Sequence, residues 1–263
     1  MSNLKVSLVM PTHNRPLHTP MAIRSFCQQV YPNLELIIVD DGATPIVYPA
    51  DARIKHLKLE NRTPTGTKRN FGAEIATGEI IASLDDDDWS NPHRIQDQVQ
   101  RLLKTGKAVT GYNTTISYEE STGLFYTQRG GPPYFASGTS QCYWKSWWKT
   151  NPFPDATVGE DWAFSRTARL ADQLAIAQPG KMMVVRKHDN NTDVYPMSRY
   201  PRLDPSEISF EFFRALQNTQ DPNYLTEPHV CTPECQADFQ RQLNAPLEDA
   251  GYCVHFLPPA ITK

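Results

Sequence analysis

Gly78-Glu79-Ile80-Ile81-Ala82-Ser83-Leu84-Asp85-Asp86-Asp87-Asp88 is the stretch that decides how this chain folds. Residues 79–84 form a mostly apolar run of strand length, and it passes without a turn residue into four carboxylates. Strands covered on both faces read as continuous apolar runs, and in open α/β sheets ligands gather beyond the carboxyl ends of such strands. Four adjacent carboxylates repel, and each raises its neighbours' pKa unless positive charge sits among them. Two readings account for them. One is a hard divalent cation bound through oxygen; the other is a solvated acidic turn serving the next helix N-terminus through Asp88 or Ser90. Alternate residues at a strand end share a face, which puts Asp85 beside Asp87.

Upstream the pattern repeats. Residues 5–10 read as a strand ended by Pro11, residues 34–39 as a strand ending in Asp40-Asp41-Gly42, and residues 54–59 as a weaker strand. Thr19 followed by Pro20 marks a helix N-cap and first position, with Met21, Phe26 and Val30 as its buried stripe. Residues 67–77 read as a helix with Phe71 and Ile75 on one face and Gly78 as its C-terminal cap. This β-α-β-α-β order predicts an α/β fold with a mostly parallel sheet and helices on both faces. Residues 11–15, 40–42 and 85–88 then meet around one crevice.

Downstream, Ser90-Asn91-Pro92 opens a helix with Ile95, Val99, Leu102 and Leu103 on one side, stopped near Gly106. Residues 107–112 read as a strand, 113–158 as loop-rich, 160–170 as a helix and 182–187 as a strand. Tyr134, Phe135, Tyr143, Trp144, Trp147 and Trp148 either line an acceptor pocket or pack as core. After about residue 195 the composition turns to proline and polar residues, with short helical patterns at 206–217 and 234–243.

With 263 residues, 39% hydrophobic and 21% charged, the chain suits a globular domain with an extension. A net charge of −3 argues against a general grip on nucleic acid, though a local basic patch stays compatible with it. No apolar run reaches the roughly 20 residues that cross a bilayer, and the first ten residues lack a secretory leader's pattern. Five scattered cysteines fit a reducing compartment, so a cytoplasmic location is expected. His229, Cys231, Cys235, Cys253 and His255 are either ligands of a structural zinc or unrelated residues.

Val6-Ser7-Leu8-Val9-Met10-Pro11-Thr12-His13-Asn14-Arg15, Leu36-Ile37-Ile38-Val39-Asp40-Asp41-Gly42 and the stretch ending in Asp88 together resemble glycosyltransferase family 2. The resemblance runs to about residue 192 and implies a GT-A fold. It divides the chain into a glycosyltransferase domain over 1–192, with a nucleotide-sugar half (1–112) and an acceptor half (113–192), and an extension over 193–263. It implies nucleotide-sugar contacts at Pro11, Thr12, Asn14, Arg15 and Asp40, then at Lys68 and Asn70 within Thr67-Lys68-Arg69-Asn70. Asp87 becomes a direct metal ligand and Asp85 lies nearer the ribose or donor sugar; Asp86 takes the variable middle position on the donor side.

Inverting sugar transfer needs a carboxylate to take the acceptor proton and positive charge to stabilise the departing diphosphate. Gly159-Glu160-Asp161-Trp162, approached through Asn151-Pro152-Phe153-Pro154-Asp155, resembles the family's Glu-Asp element. That implies Asp161 as catalytic base and Glu160 as an orienting residue; an acidic first turn favoured by the helix dipole is the alternative. Arg186-Lys187-His188-Asp189-Asn190-Asn191-Thr192 resembles a late segment whose histidine meets the metal, Mn²⁺ or Mg²⁺, or the diphosphate. Ser137-Gly138-Thr139 falls where the family contacts acceptor. The expected reaction is metal-dependent, inverting transfer of a hexose from a UDP-sugar to a hydroxyl of a saccharide, a glycoconjugate or a modified nucleic-acid base. A nucleotidyltransferase would want a glycine-rich loop after the first strand, and residues 11–18 contain no glycine. A nucleotide-sugar-binding protein without catalysis is the remaining alternative.

Overall fold

The computed structural model describes residues 4–129, 135–178, 182–192 and 196–203. The first half alternates as expected: β1 (Val6–Thr12), α1 (Thr19–Cys27), β2 (Leu34–Asp40), β3 (Ile54–Lys58), α2 (Thr65–Ile75) and β4 (Ile80–Ser83). A two-residue strand β5 (Trp89–Ser90) then leads into α3 (Arg94–Thr105), β6 (Val109–Tyr112), β7 (Thr114–Glu119) and β8 (Leu124–Arg129). After a 3-10 turn at Gly138–Ser140 come β9 (Cys142–Trp144), α4 (Lys145–Thr150), α5 (Glu160–Leu170), β10 (Leu174–Ala177) and β11 (Met183–Lys187).

Seven strands form the central sheet in the order β10-β6-β9-β4-β1-β2-β3. All pairings in it are parallel except those of β9, which runs antiparallel between β4 and β6. Alternation along the strands divides the apolar residues between two cores. Val6, Leu8, Met10, Leu36, Ile38 and Ile80 face α1 and α3 and meet Phe26, Ile95 and Val99. Val9, Ile37, Val39 and Ile81 face the other way, against Ala73 of α2, Trp148 of α4 and Phe164 of α5. Strands β1, β2 and β4 are buried along their whole length, which is why they read as unbroken apolar runs.

Five expectations are corrected. Residues 113–158 are not loop-rich: β7 and β8 form a hairpin within a second sheet, in the order β5-β11-β7-β8, and β9 enters the central sheet. The strand expected at 182–187 is present as β11 and joins that second sheet. Phe71 and Ile75 are 43% and 41% exposed, because α2 buries its small and basic side instead, with Gly66, Lys68, Arg69, Gly72 and Ala73 inward. Leu103 on α3 is likewise half exposed. Gly78 does not cap α2, which closes at Ala76; a Cβ on Gly78 would stand 2.6 Å from the Lys5 carbonyl oxygen. His18, not Thr19, occupies the cap position of α1, with Pro20 in the first turn.

Trp89 of β5 is buried with Met21, Ile116, Phe125 and Val184, so one indole ties the second sheet to α1. The expected helices at 206–217 and 234–243, Tyr134, and the cysteine and histidine set from His229 to His255 lie outside the described residues. Among the described residues no helix is long and apolar enough to cross a membrane.

Candidate active site

A cavity of about 850 Å³ opens at the carboxyl ends of β1 and β4, where the sequence placed its polar clusters. That volume is within the roughly 300–1,000 Å³ of small-molecule sites. Pro11, Thr12, Asn14, Arg15 and Lys68 line it, as do all four aspartates and the Glu160–Asp161 pair.

The four aspartates differ in the set of partners each has. Asp85 accepts a bond from Arg69 at 2.9 Å. Asp86 and Asp87 share the Arg15 guanidinium, at 2.7 and 2.5 Å. Asp87 also has His188 Nε2 at 3.1 Å and accepts from the Asn191 side-chain amide at 3.1 Å. Asp88 accepts from the Arg186 backbone N–H at 3.0 Å, which fastens β11 of the second sheet to the acid run. The repulsion that the sequence left open is thus met by four cationic or polar side chains and one backbone amide.

These environments push the carboxylates apart. Burial works against ionised Asp87, but His188 and Arg15 outweigh it and hold its pKa below the ordinary range. Burial and the neighbouring Asp87 charge lift Asp86 to about 6, with Arg15 offsetting part of the rise. Asp88 is raised well above the usual value by burial and by Asp87 and Asp85, with the Arg186 backbone N–H offsetting part of the rise.

Across the cavity, α5 starts at Glu160 and Asp161. Burial raises both carboxyl groups, and the Arg69 guanidinium partly opposes it in each. Arg69 itself is buried between the two clusters, donating to Asp85 and reaching Glu160 Oε1 at 3.4 Å. Behind it, fully buried Arg94 donates to Ser83 O at 2.6 Å and to Thr139 O at 2.7 Å. One guanidinium nitrogen, Nη2, therefore bridges the end of β4 and the 138–140 turn. That turn packs directly on Asp161: a Cβ on Gly138 would run into its carboxylate. The backbone oxygen of Asp161 accepts from Gln141 at 2.8 Å.

Two residues expected on the nucleotide are not among those that line the cavity. Asn70 does not line the cavity; its side chain donates to Phe153 O and accepts from Trp148 Nε1 and Phe153 N, bracing the approach to α5. Asp40 is buried beneath the cavity wall, accepting from Gly42 N at 2.7 Å and Lys58 Nζ at 2.8 Å. Its neighbour Asp41 lies nearer the expected partners. It takes Lys68 Nζ at 2.6 Å, His13 Nδ1 at 2.8 Å and Thr63 N at 2.7 Å, and against the effect of burial they hold its pKa at about 2.

His18 carried no signal among the residues; its ring stacks on that of His188 at 4.0 Å between centroids. Asn191, three residues after His188, bonds both Asp87 and the His188 backbone N–H. A histidine followed at the third position by an asparagine is the signal that could have marked it. Among the described residues no three acidic, histidine or cysteine side chains converge as a ready-made metal cage. Asp87 and His188 do fit a two-residue site, since Mn²⁺ and Mg²⁺ accept one or two protein ligands and complete their shell with phosphate oxygens and water.

The sequence profile of glycosyl transferase family 2 matches residues 7–153. Glycosyltransferase GlyG of Streptococcus pneumoniae serotype 4 is 32% identical over 128 residues, covering 46% of this chain and 42% of GlyG. An Escherichia coli protein, the UDP-Glc:alpha-D-GlcNAc-diphosphoundecaprenol beta-1,3-glucosyltransferase WfgD, is 31% identical over 109 residues, 40% of this chain and 43% of WfgD. The matched stretches thus span less than half of either relative. TarS of S. aureus, residues 1–349, superposes with a TM-score of 0.57 at 20% identity over 70% of this chain and 60% of its own. TarS bound to UDP-GlcNAc gives 0.57 at 19% identity, over 82% and 65%. Those likenesses establish the GT-A fold, and the profile match, which takes in β1 to β9 and the acid run, establishes that the chain belongs to glycosyltransferase family 2.

Proposed function

We propose that the protein transfers a hexose from a UDP-sugar to an acceptor hydroxyl, with inversion at the anomeric carbon and with Mn²⁺ or Mg²⁺. One observation carries the reading: a single cavity holds the cation-rich acid run on one wall and Glu160–Asp161 on the other, with Arg69 between them. The solved TarS complexes with UDP and with UDP-GlcNAc, in the same fold, support a uridine diphosphate donor here.

In this reading Pro11, Thr12, Asn14 and Lys68 border the nucleoside, with Asp40 and Asp41 as the carboxylates beneath them. Asp87 and His188 would hold the cation, which supplies Lewis-acid stabilisation of the diphosphate as it leaves. Arg15, bonded to Asp86 and Asp87, adds fixed positive charge on the diphosphate side. Arg69 keeps Asp85 and Glu160 turned towards the donor sugar. Asp161 takes the proton from the acceptor hydroxyl as that oxygen attacks the anomeric carbon. Its raised pKa makes it a stronger base than an exposed aspartate.

The test has two arms. UDP-sugars with Mn²⁺ raise the melting temperature of the protein, because a ligand that binds only the native state stabilises it. Asp161→Asn keeps that shift and loses transfer. A variant that still transfers at the parental rate removes Asp161 as base, and a melting temperature indifferent to every UDP-sugar removes the donor assignment.

A further inference from the structure

We infer that Trp162 is the platform on which the acceptor lies, and that the acceptor is a neutral pyranose sugar. The inference rests on the transferase reading and names the substrate class on the acceptor side of the same cavity.

Trp162 is the residue after Asp161, and its backbone N–H donates to Asp161 Oδ1 at 2.7 Å, so the indole and the carboxylate are set by one turn of backbone. The side chain lines the cavity yet is 50% exposed, and it belongs to none of the described apolar cores. Val158, 65% exposed, borders the same rim three residues before Asp161. Large apolar side chains left in water beside a polar cavity mark a surface that a ligand covers. Arg166, one turn further along α5, places its guanidinium 5.5 Å from the Trp162 ring. It is not among the cavity-lining residues, so it steadies the ring from outside and leaves the cavity side uncovered.

A pyranose matches this surface. One face of the ring presents C–H bonds with partial positive charge, which meet the negative face of an indole, while its hydroxyls project around the edge. A sugar lying on Trp162 therefore offers a hydroxyl towards Asp161. Polynucleotide acceptors would also stack, but they bring phosphates, and the two residues before Trp162 are the carboxylates Glu160 and Asp161.

The experiment uses the full chain without donor. Saturation-transfer NMR and intrinsic fluorescence follow methyl β-D-glucopyranoside, methyl β-D-galactopyranoside and methyl N-acetyl-β-D-glucosaminide, with a short single-stranded RNA for comparison. At least one glycoside binds, with saturation strongest at C–H protons of a single ring face. Trp162→Ala weakens that binding about tenfold, and Trp162→Phe, which keeps an aromatic face, by only about threefold. Binding by none of the glycosides, affinity unchanged in Trp162→Ala, or RNA preferred over every glycoside overturns the proposal. UDP-sugar thermal shifts run in parallel separate its failure from that of the transferase reading. Loss of glycoside binding with donor binding intact removes only the platform, whereas indifference to every UDP-sugar removes the reading beneath it.

Discussion

The two ends of the central sheet bury carboxylates under opposite conditions. At the amino end of β2, Glu35 is almost wholly covered and takes donors from Ser7 (2.6 Å), Thr77 N (2.6 Å), the Thr77 hydroxyl and Lys55 (2.8 Å). Burial opposes its charge, but these donors prevail and hold its pKa at about 2. At the carboxyl end Asp41 and Asp87 are likewise held low by their donors, but Asp86, Glu160 and Asp161, buried or half-buried with fewer donors, have raised pKa values. Covering a carboxylate is common to both ends; the supply of donors is not. Where every lone pair is met, a carboxylate holds the fold together. Where partners are few and aimed across a cavity, it stays ready for chemistry.

Replacing a carboxylate at each end should separate activity from stability. The largest effect is expected from Asp161→Asn, which loses on the order of 10³-fold in kcat with UDP-sugar thermal shifts retained. Next comes Asp87→Asn, or EDTA on the parent protein, with about 10²-fold lower turnover and a weaker response of UDP binding to Mn²⁺. A raised Asp161 pKa also places the acid limb of kcat/KM above the 3.8 of an ordinary aspartate. Activity falls as the pH drops through that raised value, and a limb at or below 3.8 would contradict the assignment.

At the other end the signs reverse. Glu35→Gln should cost on the order of 2 kcal/mol in denaturant unfolding and leave transfer per folded molecule unchanged. Because the folded pKa of Glu35 lies below its reference value of 4.5, its contribution is fully present above that pH and is lost as pH falls through about 2. Smallest of all, Phe71→Ser on the exposed side of α2 should shift stability by less than about 0.5 kcal/mol, measured by the same unfolding curve. A loss of several kcal/mol there would mean that α2 packs its other side.

Legibility followed burial. Strands β1, β2 and β4 are covered on both faces and announced themselves as apolar runs. The second sheet did not, since β7 mixes threonine, serine, tyrosine and glutamate and is only half covered. Strand β9 is three residues, Cys142–Trp144, inside a stretch whose aromatics drew attention first. Tyr143 and Trp148 turned out to be core, whereas Phe135 lines the cavity. At the site, the acid run and the Glu160–Asp161 pair stood out because their charge density needed a reason. His18, Arg94 and Asp41 were hidden: a histidine before a helix, a basic residue in a helix and the second half of an Asp-Asp turn look ordinary until the fold gives them partners.

The antiparallel insertion of β9 between β4 and β6 has a consequence for biosynthesis. By the time residue 83 has left the ribosome, β1 to β4 can assemble on one another, but the outer edge of β4 has no neighbour until residue 144 follows. For that interval an apolar strand edge stands open to other chains. Nascent chains arrested between those two points should therefore be the species that chaperones hold longest.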